Sequence, residues 1–235
     1  MCLAVPINDV GTDGHYSLSE LKQIQSDGNE ILMHGIDSSS NSAACSLSEF
    51  KQMIDNCVDY ANQNNFNQKA FVYPQGLQPY SPDCDAKLAY TRSKGIEMAF
   101  NVNNSAESTE KAGYEEWYSY ANGRTTGHGT FNVIPFVQMP NGYNKSLLIN
   151  RAEVDEGKNI SISWWKKQID DAIQNHLYIC FFTHCYRNSW TTPDDKGKTV
   201  TDYFKEMITY IKETYPDEVL WATVSGARAY INSIS

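Results

Sequence analysis

Short apolar runs alternate with segments of helical period along almost the whole chain. That alternation restricts the fold to a mainly parallel sheet or barrel wrapped by helices. Cys2–Pro6 reads as a first strand, and Ser17–Ser26 as a helix with Ser17 or Ser19 at its N-cap and Glu20 as the capping-box acid. Ile31–Met33 is the next strand. Ser46-Leu47-Ser48-Glu49 opens a longer helix in which Phe50, Met53, Ile54, Cys57, Val58 and Ala61 recur at helical spacing. Phe71–Tyr73 follows as a strand, Asp85–Lys94 as a helix closed by Gly95, and Ile96–Phe100 as a strand. Asn101–Gly129 is polar and aromatic without a clear period and reads as a surface excursion. Further strands are expected at Phe131–Val137, Leu147–Ile149, Leu177–Phe182 and Val219–Thr223, with helices over Trp164–Gln174 and Val200–Thr214.

With 235 residues, 41% of them hydrophobic, the chain can bury one substantial core, so a single domain over residues 1–235 is expected. A formal net charge of -9 without a basic cluster argues against nucleic acid and anionic membrane surfaces as partners. The six cysteines form no Cys-x-x-Cys pair, which gives no support to a zinc knuckle or a redox motif. No apolar run approaches the roughly 20 residues that cross a bilayer, so no membrane insertion is expected. Met1–Pro6 lacks the basic start and long apolar stretch of a signal peptide.

The chemistry-bearing residues fall just after predicted strands, where α/β folds build their sites. Between Leu21 and Asp37 a short helix stops at Asp27-Gly28, and the buried-strand pattern Glu30-Ile31-Leu32-Met33 delivers His34 at its end. Phe71-Val72-Tyr73-Pro74-Gln75-Gly76 is a strand running into a proline-stiffened turn. Tyr178-Ile179-Cys180-Phe181-Phe182-Thr183-His184 is a third strand that ends in a histidine.

Read together, these three segments resemble the polysaccharide deacetylases, carbohydrate esterases of the NodB-homology fold. The resemblance implies an α/β fold, a distorted (β/α) barrel, and hydrolysis of N- or O-acetyl groups on cell-wall or capsular glycan. It also implies a divalent metal, zinc or similar, held by an aspartate and a His-x-x-x-His pair, which would activate water and polarise the acetyl carbonyl. His34 matches the first histidine of that pair, and Ser38 stands where the second would be; Asp37 is the nearest carboxylate. The strand bearing the family's Asp-Asp pair is expected before Cys2, so the chain is expected to be incomplete at the N-terminus and to bind metal weakly or not at all.

Tyr73-Pro74-Gln75-Gly76 resembles the family's Arg-x-Pro-Tyr-Gly motif, with Val72 in the place of the arginine. The resemblance implies that the Gln75 N–H donates to the oxyanion of the tetrahedral intermediate, and it places Tyr73 and Pro74 against substrate. His184 matches the late histidine that acts as general acid, a role suited to its near-neutral pKa. Asn101-Val102-Asn103-Asn104 stands where an Asp/Trp motif would tune that histidine. Arg151 is expected either at the site mouth or in a surface ion pair, and Trp190 is the candidate sugar platform. His15 and His128, in glycine-rich loops, receive no role.

Two functions remain open: a glycan deacetylase, or a non-catalytic carbohydrate-binding or assembly module that keeps the fold. Either implies a glycan partner and leaves room for a homo-oligomer or larger assembly. The family implies an extracellular or cell-wall location.

Overall fold

The computed structural model describes residues 1–37, 39–75, 83–102, 118–119, 147–153, 162–174, 180–182, 184 and 190–234. β1 (Cys2–Val5), β2 (Glu30–Met33), β3 (Asn67–Val72) and β4 (Met98–Val102) pair in that order, all parallel. β5 (Tyr118–Ser119) is a short antiparallel addition to the start of β6 (Leu147–Glu153). β6 continues the parallel sheet beside β4, and β7 (Phe181–Phe182) pairs parallel with the end of β6.

Strand alternation divides the buried residues between two faces. Ile31, Met33, Phe71, Tyr73 and Ala99 face α1 (Leu18–Ser26), α2 (Leu47–Asn64) and α3 (Cys84–Ser93), where Leu21, Phe50, Ile54, Cys57 and Leu88 complete one core. Leu32, Ala70, Val72, Met98 and Phe100 face the other way and meet Val224 of α6 (Val224–Ile234). A third cluster joins α4 (Ile162–Gln174) to α5 (Val200–Thr214) through Trp165, Ile169, Tyr203, Met207 and Ile211.

The helix starts are written locally. Ser17, Ser46 and Thr199 each accept from the backbone N–H three residues on, while Glu20, Glu49 and Asp202 return the bond. Each box contributes about 1 kcal/mol and fixes where its helix begins.

At the N-terminal ends of the strands, α6 is tied to the sheet by polar contacts. Ser225 N–H donates to both Glu30 carboxylate oxygens at 3.1 Å, and Arg228 Nε lies 3.3 Å from Glu97.

Two expectations change. Neither β1 nor β7 closes on the other among the described residues, so what is seen is a parallel α/β sheet rather than a demonstrated barrel. Val219–Thr223, expected as a final strand, has no regular structure and leads directly into α6, with Leu220 and Trp221 60% and 55% exposed. Its β-forming composition has no neighbouring strand to pair with among the described residues, and propensity alone does not make a strand. The early part of Leu177–Phe182 and all of Phe131–Val137 lie outside the described residues.

Candidate functional site

β2 ends because Gly35 turns the chain away at φ 84°, a conformation that glycine adopts without strain. A Cβ at Gly35 would also lie 2.5 Å from Pro74 Cγ, so the end of β2 and the turn after β3 approach more closely than any other residue would allow. His34 is half-buried between them. Its backbone N–H donates to Val5 O at 2.9 Å, and its Nδ1 lies 2.9 Å from Val72 O. A carbonyl can only accept, so Nδ1 carries a proton, and in the neutral ring Nε2 is then the nitrogen with the lone pair. A structural histidine makes this bond, and so does one whose tautomer is set for work at Nε2.

Pro74 cannot donate to a sheet ladder, and β3 stops before it. Gln75 then takes φ 52°, which costs a non-glycine residue about 1 kcal/mol and requires a surrounding structure that imposes it. That structure is the loop before α2. Asn41 Nδ2 donates to Gln75 Oε1 at 3.0 Å, and the fully buried Ser42 hydroxyl donates to Pro74 O at 2.9 Å.

The Tyr73 ring, expected against substrate, is fully buried. It packs on Phe50 and Phe71, with its hydroxyl donating to Thr91 at 3.0 Å, so it holds the strand end from inside.

Asp37 caps its own turn. Its Oδ1 accepts from the Ser39 hydroxyl at 2.6 Å, from Ser39 N–H at 3.0 Å and from the Ser40 hydroxyl at 3.3 Å. The Ser39 hydroxyl bond is the main reason its carboxyl titrates below the ordinary aspartate value.

His184 and Trp190 form a second group at the end of β7. Trp190 Nε1 donates to His184 O at 3.0 Å, and the indole stacks on Phe204 of α5 with ring centroids 5.7 Å apart. One indole face is therefore already covered.

Arg151 occupies β6 opposite Val102; its side chain lies outside the described residues, as do Ser38 and Gly76.

Because all the pairings between β1 and β7 on this path are parallel, His34, Gln75 and His184 all follow strand C-terminal ends at one edge of the sheet. His34 and the Pro74–Gln75 turn lie side by side there, joined through Val72 O and the Gly35–Pro74 approach, and Asp37 follows in the turn after Gly35. His184 is four strand steps away, about 19 Å in a flat sheet at ordinary strand spacing, so the sheet's curvature decides whether the two groups meet. A cavity of about 320 Å³ beside Glu30, Asn67, Lys69 and Ser225 lies at the opposite edge and takes in none of these residues.

Among the described residues, the donors around His34 do not make up the set that the implied metal needs. His34 has given Nδ1 to Val72 and Asp37 has given Oδ1 to its serines, so the pair offers at most one nitrogen and one oxygen. A catalytic zinc site uses three protein ligands. Among the described residues no group of three His, Cys, Asp or Glu side chains could hold a metal ion.

Sequence reasoning passed over Asn41, Ser42, Lys87 and Thr91. The signal for the last two was present. Cys84, Lys87, Leu88 and Thr91 recur at i, i+3, i+4 and i+7, all buried, so two polar residues occupy the inward stripe of α3.

In backbone shape the protein is similar to the crystal structure of a "putative polysaccharide deacetylase" from Mycobacterium smegmatis, with a TM-score of 0.55 over 92% of this chain and 67% of that one. The two are 10% identical, so the likeness is one of fold. A 4-alpha-glucanotransferase from Thermococcus litoralis aligns at a TM-score of 0.34 and 16% identity, covering 84% of this chain and 35% of that one, too low to bear on the architecture. No protein-family model matches the sequence, and no curated protein does. No helix among the described residues is long and apolar enough to cross a membrane.

Proposed function

We propose that this chain is a polysaccharide deacetylase-like protein that hydrolyses N- or O-acetyl groups on cell-wall or capsular glycan, on a NodB-type barrel. The observation that carries the reading is the Gln75 turn. A left-handed residue is pinned through its side chain and through the carbonyl before it, next to a histidine of fixed tautomer.

The Gln75 N–H is the oxyanion donor, pre-set by the turn rather than organised during reaction. His34 Nε2 takes a proton from water as the water oxygen bonds to the acetyl carbon. The tetrahedral intermediate then breaks its C–N or C–O bond, His184 gives a proton to the leaving amine or sugar oxygen, and acetate departs. Arg151 and Trp190 complete the rim where the sugar is held. Without a metal-activated water the turnover is slow. An extracellular or cell-wall location and assembly into a homo-oligomer belong to the same proposal.

The incomplete donor set favours a second reading, a glycan-binding module without catalysis. Acetate release from an acetylated chitooligosaccharide separates the two. Hydrolysis that falls at least 100-fold in His34→Ala and in His184→Ala supports the first reading. Saturable binding without acetate release supports the second. Ordinary enzymatic rates untouched by His34→Ala would overturn this placement of the chemistry.

A further inference from the structure

Lys87 is fully buried on α3, an unusual place for an ammonium group. Its three N–H donors go to three backbone carbonyls of one loop: Ser42 O at 3.1 Å, Ala43 O at 3.0 Å and Cys45 O at 2.7 Å. The ring of Phe50 lies 5.8 Å from the same nitrogen. An apolar residue would fill this space at lower desolvation cost but would leave carbonyls of the 42–45 loop without a donor. The lysine thus fixes a loop conformation rather than filling a core.

That loop is the one that holds the Pro74–Gln75 turn. Asn41 Oδ1 accepts from Ala43 N–H and Ala44 N–H at 3.1 and 3.0 Å, and this aims the Asn41 amide at Gln75 Oε1. Ser42, whose carbonyl Lys87 grips, donates its hydroxyl to Pro74 O. One helical turn beyond Lys87, the Thr91 hydroxyl accepts from Tyr73 and donates back to Lys87 O. α3 therefore reaches the end of β3 by two routes, one through the loop and one through Tyr73.

We infer that Lys87 is a positioning residue that sets the left-handed Gln75 turn, and with it the direction of the Gln75 N–H, through the 42–45 loop. Its effect on catalysis rests on the hydrolase reading above; its effect on the turn does not.

The test is NMR on the full chain, amide hydrogen exchange at the bonded amides of residues 43–46 and the amide and Cα chemical shifts of Gln75, comparing wild type with Lys87→Met and Ser42→Ala. Lys87→Met is expected to raise exchange at least 10-fold at residues 43–46 and to move the Gln75 shifts away from their left-handed values, with the amides of β2 and β4 changed less than 2-fold. Gln75 shifts unmoved, or exchange raised equally throughout β2, β4 and α3, would overturn the inference.

Ser42→Ala keeps the lysine and serves if Lys87→Met does not fold. It is expected to move the Gln75 shifts while leaving exchange at residues 43–45 within 2-fold, and unmoved Gln75 shifts would overturn the coupling. Acetate release supplies the catalytic readout, with kcat expected to fall at least 10-fold in Lys87→Met and KM to stay within 2-fold. A fall in KM and kcat together would refute a positioning role. Absence of acetate release by the wild-type chain would sink the hydrolase reading and leave the exchange result standing.

Discussion

The two ends of the candidate site are held by different physics. At the β2–β3 end, bonds join segments far apart in sequence: His34 to Val72, Asn41 to Gln75, Ser42 to Pro74, and Lys87 to the loop at 42–45. At the β7 end the contacts seen among the described residues are local. Trp190 holds His184 O and stacks on Phe204, and the Asp194–Tyr203 hydrogen bond at 2.6 Å closes the same stretch, all within about twenty residues of chain. The first arrangement fixes angles against the sheet, because polar bonds are directional and three elements share them. The second fixes His184 against α5, because aromatic stacking tolerates sliding. Pre-organisation of an oxyanion donor belongs in the first kind of setting, and a proton donor on a more adaptable support fits the second.

Gly35→Ala strikes the first end hardest. The new methyl meets Pro74 while φ 84° strains any other residue, so a loss of about 3 kcal/mol is expected, read as a lowered urea midpoint at unchanged m-value. Trp190→Ala attacks the second end. It removes a half-buried stack and one hydrogen bond at a cost of about 2 kcal/mol, and the Gln75 amide and Cα shifts are expected to keep their wild-type values. Were Gln75 to loosen as well, the two ends would not be separately supported. Ser42→Ala is smaller, about 1 kcal/mol, and is expected to act at Gln75 rather than at His184.

Much of the fold was legible because its signals are local. Capping boxes at Ser17 and Ser46 and the period of Phe50, Met53, Ile54, Cys57 and Ala61 mark helices without reference to anything distant. Strand ends carrying His34 and Gln75 were legible for the same reason. Val219–Thr223 misled, since its apolar, β-branched composition reads as a strand, and a strand exists only where a neighbour supplies hydrogen bonds. The site's support was hidden more deeply. Tyr73 reads as a residue at a motif, yet its ring lies wholly in the core, and Lys87 reads as surface charge until α3 is seen from its buried side. Asn41 and Ser42 gain meaning only when a loop more than thirty residues from Pro74 folds against it.

The smallest expected effect is on pH dependence at the second end. The Asp194 carboxylate on the Tyr203 hydroxyl is the leading reason that this phenol is pushed from 10.0 up to about 12, while the same bond holds Asp194 below its ordinary value. The raised Tyr203 contributes stability in full below pH 10 and loses it as pH rises toward 12. The lowered Asp194 contributes above the ordinary carboxylate range and loses its part as pH falls through its folded value. Tyrosinate absorbance is expected to show several late-ionising phenols, Tyr60, Tyr203, Tyr210 and Tyr215 among them, of which one titrates earlier in Asp194→Asn. The β2–β3 end shares the acid limb through Asp37, and burial raises the Cys57 thiol beside Gly35 to about 12.

The central claim is that the two ends serve one glycan. The chain holds five histidines, so side-chain nitrogen resonances of a ¹⁵N-histidine sample can be followed one by one while an acetylated chitooligosaccharide is added. His34 and His184 are expected to shift together along a single binding curve, with His15 unmoved. A shift at only one of the two, or at both with different midpoints, would show that the sheet does not curve enough to bring them to one substrate and would contradict that claim.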